Sequence, residues 1–246
     1  MPTRHKIYLK DKFKMNSARG GQMSQKENLG IKRVMEKLKD ERSKKVIFVA
    51  HCILNENTRW LGGAFRRGCI DEIVDQLQDR GIGIVQMKCP EQQALGGVVK
   101  ASEWRMLGAK DSLLYKMKGV SLPLFMWNVK RKYRKIAKEV VRDVEDYREH
   151  GFDVAGIVGC AWSPTCGVNT TYDVTAGLID FLANTDIEHL ERESFNKTLI
   201  GFCKKGKGLF IKALEEELQR KNLTVKFFEQ DCIAEMKGEK TPIILE

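Results

Sequence analysis

The sequence predicts an α/β fold: a Rossmann-like parallel sheet of about five strands flanked by helices, with a basic N-terminal extension. Three observations lead there. From Lys45 onward, short runs rich in Val and Ile alternate with longer amphipathic segments, the rhythm of a parallel sheet covered by helices. Between the runs, apolar residues recur at helical spacing. The composition, 42% apolar and 31% charged with only 5 prolines in 246 residues, supports a packed core and excludes the disordered and collagen-like classes.

Taken in order, residues 46–50 form the first expected strand, 82–87 the second, 154–158 the third, 199–202 the fourth and 223–228 the fifth. A helix over 64–79 sets Ile70, Ile73, Val74 and Leu77 on one stripe, and Gly81 ends it. A long helix over 127–149 turns Ile136, Val140, Val141, Val144 and Tyr147 inward. Further helices are expected over 170–182, carrying Val174, Leu178 and Phe181, and over 209–221, burying Phe210, Ala213, Leu214 and Leu218. Residues 96–125 break the strand–helix rhythm and read as an insertion over the sheet's active edge, in the manner of a lid. The domain organisation expected is a basic extension over 1–44 and an α/β domain over 45–246.

The charge is unevenly placed. Residues 1–45 hold 14 Lys plus Arg against 5 Asp plus Glu, whereas the remaining 201 carry 29 against 28. The leader reads either as a solvated basic tail with a helix near 28–39 or as an arm for RNA. A second basic run, Lys130, Arg131, Lys132, Arg134, Lys135 and Lys138, is followed by Glu139, Asp143, Glu145, Asp146 and Glu149, giving one helix with opposite ends. No window approaches the apolar length of a membrane helix, and the first thirty residues are basic and polar. A cytoplasmic location with no membrane partner is therefore expected. An odd count of seven cysteines suits reduced thiols or metal ligands better than a disulfide framework.

In open parallel sheets ligands bind outside the carboxyl ends of the strands, where strand order reverses. The first expected strand runs into His51 and Cys52, the second into Cys89, Pro90 and Glu91, and the third into Cys160, Ser163, Pro164, Thr165 and Cys166. Three successive strands thus release cysteines at one end. Converging thiolates suit zinc or an iron–sulfur cluster, and the lack of close C-x-x-C pairs favours the cluster. Burial as ordinary core thiols is the competing account, and it suits Cys69, Cys203 and Cys232 better. Ser163 and Glu91 flank the cysteines; they could relay and accept protons, or they could cap the turn and hydrogen-bond loop backbone. His51 is a further proton donor or a structural residue. Gly96, Gly97 and Gly167 allow unusual backbone angles nearby. No G-x-G-x-x-G follows the first strand, which argues against a dinucleotide enzyme.

The blocks His51-Cys52-Ile53-Leu54-Asn55, Cys89-Pro90-Glu91 followed by Gly96-Gly97, and Ser163-Pro164-Thr165-Cys166-Gly167 resemble the three signature segments of the TudS thiouracil desulfidase family, in its TudS-related branch. The resemblance covers roughly residues 45–170. It implies a 4Fe-4S cluster held by Cys52, Cys89 and Cys166, with an open iron for the sulfur of a thiolated substrate. Cys160 has no counterpart in that pattern, and His51 and Asn55 stand where the family usually carries Ala and Gly. The expected activity is removal of sulfur from a thiolated nucleobase or related thiocarbonyl compound. A small thiolated substrate is expected, or tRNA bound through the basic extension. The alternative is a non-catalytic iron–sulfur or sulfur-carrier protein in which Cys160 closes a four-cysteine site.

Overall fold

The computed structural model describes residues 30, 33, 34, 36–38, 40–102, 113–172, 180, 181, 183–186, 188–243 and 245. The chain divides into two units, Met1–Arg42 and Ser43–Glu246. The larger unit begins with β1 (Lys45–Val49) and α1 (His51–Leu54), continues through α2 (Asp71–Asp79), β2 (Gly83–Gln86) and α3 (Pro90–Ala94), and reaches α4 (Leu113–Lys116) and the long α5 (Lys118–Glu149). Then come β3 (Asp153–Cys160), β4 (Thr170–Tyr172), α6 (Arg192–Ile200), β5 (Cys203–Lys205), α7 (Leu209–Arg220), β6 (Phe227–Gln230) and α8 (Cys232–Met236).

Four strands form one parallel sheet in the order β2-β1-β3-β6. The central β1 and β3 are the most deeply buried: Ile47, Val49, Ile157 and Val158 expose nothing and Phe48 1%, as expected of strands covered on both faces. Phe48 meets Tyr147 of α5 edge to face at 6.0 Å, and Tyr133 of α5 meets Phe210 of α7 at 6.3 Å. These contacts join the sheet and its helices into one core. Ile70, Ile73 and Leu77 are fully buried, so the expected helical stripe packs inward, although α2 begins only at Asp71, well after the start at residue 64 read from periodicity.

The fourth expected strand, 199–202, is absent from the sheet, whereas the fifth, expected over 223–228, is met in part by β6 (Phe227–Gln230). Leu199 and Ile200 end α6, because Phe195 and Leu199 recur four residues apart and bury one helical face. The next residues, Cys203–Lys205, pair with β4 in a separate antiparallel ribbon. That ribbon also displaces the helix expected from residue 170. Thr170–Tyr172 is strand, residues 173–179 lie outside the described residues, and helical geometry appears at 180, 181, 183 and 184. Of the expected insertion, 103–112 lie outside the described residues, and its end is helix: α5 starts at Lys118 and runs through Pro123.

The strand order places the site. From β1 the chain crosses to β2 on one side, while β3 and β6 lie on the other, so the reversal falls between the carboxyl ends of β1 and β3, where open sheets leave a crevice.

Candidate functional site

Four cysteines come to that end of the sheet. Cys52 lies in α1 directly after β1, Cys89 follows β2 as the residue before α3, Cys160 ends β3, and Cys166 closes the loop after it. Register explains the meeting: Val49 lies beside Gln86 in one pair and beside Val158 in the other, so three strand ends stand level. The amide of Ala50 donates to the Val158 carbonyl, and that of Met87 donates to Val49, each 2.9 Å.

The 160–167 loop is held by its own backbone. The amide of Cys160 donates to the Cys166 carbonyl at 3.1 Å, and the amide of Gly167 to the Ser163 carbonyl at 3.2 Å. Ser163 Oγ accepts from the amides of Thr165 and Cys166 at 3.2 and 3.0 Å. The capping role therefore exists, and the hydroxyl proton remains available for donation. Gly96 and Gly97 have φ of +92° and +90°, as their sequence suggested. Gly167 is glycine for a different reason: a Cβ there would stand 1.8 Å from the Thr170 carbonyl oxygen. Glu229 Oε1 accepts from the amides of Val168 and Asn169 at 2.6 and 2.9 Å, pinning the loop's exit to β6.

The thiols share one electrostatic neighbourhood. A hydrogen bond with Cys160, then burial, pushes the Cys52 thiol up, while Arg59 opposes this. Burial, followed by the charge of Glu91, pushes Cys89 up to about 12. Burial also raises Cys166, with Cys52, Cys89, Glu91 and Cys160 adding to it. Cys160 is raised first by its contact with Cys232, and its Sγ donates to Gln230 Oε1 at 3.4 Å. Cys232, which the sequence placed with the ordinary core thiols, is buried as expected but lies against this group and donates to the Ala161 carbonyl at 3.0 Å. Cys69 and Cys203 are only partly buried.

Two buried cations flank the thiols, and sequence reasoning missed both. Arg59 is 6% exposed and Lys100 is 3% exposed. Arg59 Nη1 pairs with Glu235 at 2.8 Å, and its Nη2 lies 3.7 Å from Glu56. Burial works against its charge, but the fields of Cys160, Cys52, Glu235 and Glu56 outweigh that and hold its pKa above the ordinary value. Glu56 Oε2 accepts from the amides of Phe65 and Arg66 at 2.6 and 2.8 Å. Glu56 Oε1 and Glu235 Oε1 have no hydrogen-bond partner, and burial, then the neighbouring Glu56 carboxyl, pushes Glu235 up to about 7.

Lys100 Nζ donates to the Thr58 carbonyl at 2.9 Å and lies 3.4 Å from Glu91 Oε2. Glu91 keeps 18% of its side chain exposed, so it joins a buried cation to solvent. His51 is partly buried, and loss of solvation lowers its pKa despite a hydrogen bond to the Met87 backbone. A neutral imidazole is the favoured form there.

All five residues expected from sequence, Cys52, Cys89, Cys166, Glu91 and Ser163, therefore sit at one edge. Among the described residues, no group of three or more His, Cys, Asp or Glu side chains stands in an arrangement that would hold a metal ion. Comparisons of this chain with protein-family models, curated proteins and solved structures find no match.

Proposed function

We propose that the protein is an iron–sulfur-dependent desulfidase of the TudS kind, which replaces the sulfur of a thiolated nucleobase or related thiocarbonyl compound by oxygen. The observation that carries this reading is the meeting of thiols from three strand ends at the switch point of a parallel sheet. The donor set fits the cluster in chemical kind, because soft thiolates favour it. Cys52, Cys89 and Cys166 would hold it, exchanging thiol protons and the Cys52–Cys160 hydrogen bond for bonds to iron. When bound, the 4Fe-4S cluster supplies an open iron that draws electron density onto the substrate's sulfur.

The rest falls to the chain's own residues. Glu91 takes a proton from the attacking water, and Lys100 steadies its carboxylate at 3.4 Å. Ser163, whose Oγ already accepts two backbone amides, donates its remaining proton or orients the substrate. Arg59 offsets the negative charge of neighbouring thiolates. The overall change consumes one water, leaves oxygen on the carbon and releases hydrogen sulfide, with no net oxidation.

The test is iron and acid-labile sulfide per chain after anaerobic reconstitution, beside a variant carrying Cys52→Ser, Cys89→Ser and Cys166→Ser. About four of each in the parent and almost none in the variant support the reading. Zinc, or iron that ignores the triple change, overturns it. A second reading rests on the Cys52–Cys160 contact: a closed four-cysteine, non-catalytic or sulfur-carrying centre. It requires Cys160→Ser to destabilise the cluster as much as Cys52→Ser does. Thiouracil, thiouridine and thiolated tRNA under anaerobic conditions form the substrate panel, and a tRNA substrate bound by the basic leader predicts affinity that falls steeply with salt.

A further inference from the structure

The long helix presents to solvent a line of residues that the core does not use. Leu113, Met117, Val120, Leu124 and Trp127 are 71%, 52%, 69%, 66% and 62% exposed. They alternate four and three residues apart, which aligns them on one helical stripe. The amides of Met117 and Ser121 donate to the Leu113 and Met117 carbonyls at 3.0 Å each, so helical bonding carries across from α4 to α5. The same spacing continues through Arg131, Arg134 and Lys138, all exposed, while Val129, Tyr133, Ile136 and Ala137 bury the opposite face. Thus one line is apolar in its first half and basic in its second.

We propose that this line is a docking surface for an anionic lipid bilayer. Such a surface offers an acyl boundary to Leu113, Val120, Leu124 and Trp127, and phosphates to Arg131, Arg134, Lys135 and Lys138. Trp suits the depth at which the two meet. Charge complementarity selects this occupant: residues 112–138 contain eight Lys or Arg and no Asp or Glu. Among the described residues, two acids meet the helix, and neither faces Arg131, Arg134 or Lys138 in an ion pair: one holds Lys118 at its start and the other holds Lys88. Asp180 pairs with Lys118 at 2.6 Å and Glu139 with Lys88 at 2.8 Å, although Glu139 also feels Lys135. Arg131 lies over the Trp127 ring at 5.7 Å, joining the two halves of the line. Parallel pairing of two copies would set basic line against basic line, and bare RNA offers no partner for Leu, Val and Met side chains.

Position links the surface to the thiols. Tyr133 Oη meets Thr165 Oγ1 of the site loop at 3.1 Å, so the helix before Tyr133 lies at the end of the sheet where the cysteines meet. Docking there requires no spanning segment, and among the described residues no helix is long and apolar enough to cross a membrane. The sequence expectation of no membrane partner rests on the lack of a spanning segment and on a first thirty residues that are basic and polar, and surface docking needs neither a span nor an apolar leader.

The test uses the full chain in co-sedimentation with vesicles of phosphatidylglycerol and phosphatidylcholine, against phosphatidylcholine alone, at low and high salt. L124E/W127E and R134Q/K135Q/K138Q alter exposed side chains only, and unchanged circular dichroism confirms that each variant folds. The parent is expected to partition onto the anionic vesicles, less so in high salt, and each variant to weaken binding by about tenfold or more. A parent that stays in solution with anionic vesicles overturns the proposal, as does equal binding by L124E/W127E. Binding to RNA without vesicle binding, or a parent dimer that L124E/W127E dissolves without vesicle binding, also overturns it.

Discussion

Arg59 and Lys100 are both buried cations beside the thiols, yet they are held in different ways. Both grip the 56–59 turn, Arg59 through Glu56 and Lys100 through the Thr58 carbonyl. Arg59 faces a carboxyl pair of which neither member exposes more than 1%, so its charge is locked into the fold. Lys100 faces Glu91, which reaches solvent. The difference is one of access: the Glu91 side reaches solvent, while the Arg59 side supplies a fixed positive field.

Removing the fixed charge should have the largest effect. Arg59→Met leaves two buried carboxyls without their counter-ion, a class of change that costs about 3–5 kcal/mol, and urea denaturation of the metal-free protein measures it. The pH dependence sharpens the point. Glu235, ordinarily near 4.5, titrates at about 7 in the fold. The unfolded chain therefore holds fewer protons than the native one between those values, and stability falls as pH rises through that window. Glu235→Gln should flatten the slope there. An unchanged slope would show that Glu235 is not the group that titrates in that window.

These charges were invisible in the sequence, whereas the cysteines were not. Cys52, Cys89 and Cys166 could be placed because each follows a Val- and Ile-rich run, and parallel strands bring their ends together. Arg59 follows no periodic pattern, and its partner Glu235 lies in α8, a short helix from the far end of the chain. Pairing over such a distance is set by tertiary packing. Residues 199–202 failed for a related reason: a short apolar run does not tell strand from helix by itself. Ser163 was legible because a hydroxyl before Pro acts locally, and the structure shows the local bond.

Ser163→Ala tests the loop that carries Cys166. Losing the hydroxyl that accepts from the Thr165 and Cys166 amides should cost about 1 kcal/mol, in line with other side-chain caps. Ser163→Thr should restore much of that stability. If Ser163 also donates a proton, Ser163→Ala lowers turnover of a thiolated base well beyond its effect on cluster content. Equal losses of turnover and cluster would assign it to the loop alone.

Glu91→Gln should change stability least and activity most relative to its stability cost. The Lys100 contact is long at 3.4 Å and Glu91 remains partly solvated, and an amide oxygen can still accept from the ammonium, so a loss below about 1 kcal/mol is expected. An amide cannot take a proton from water. Turnover should therefore fall by about a hundredfold or more, while iron content stays at the parental level. If Glu91→Gln instead loses its iron and keeps its turnover per cluster, Glu91 supports the metal site rather than the water, and the proton acceptor must be sought elsewhere along the same strand ends. Arg59→Met offers the reciprocal result: a fold weakened throughout, with the Cys52 and Cys160 thiols pushed further up, because the positive field that opposes their protonation is gone.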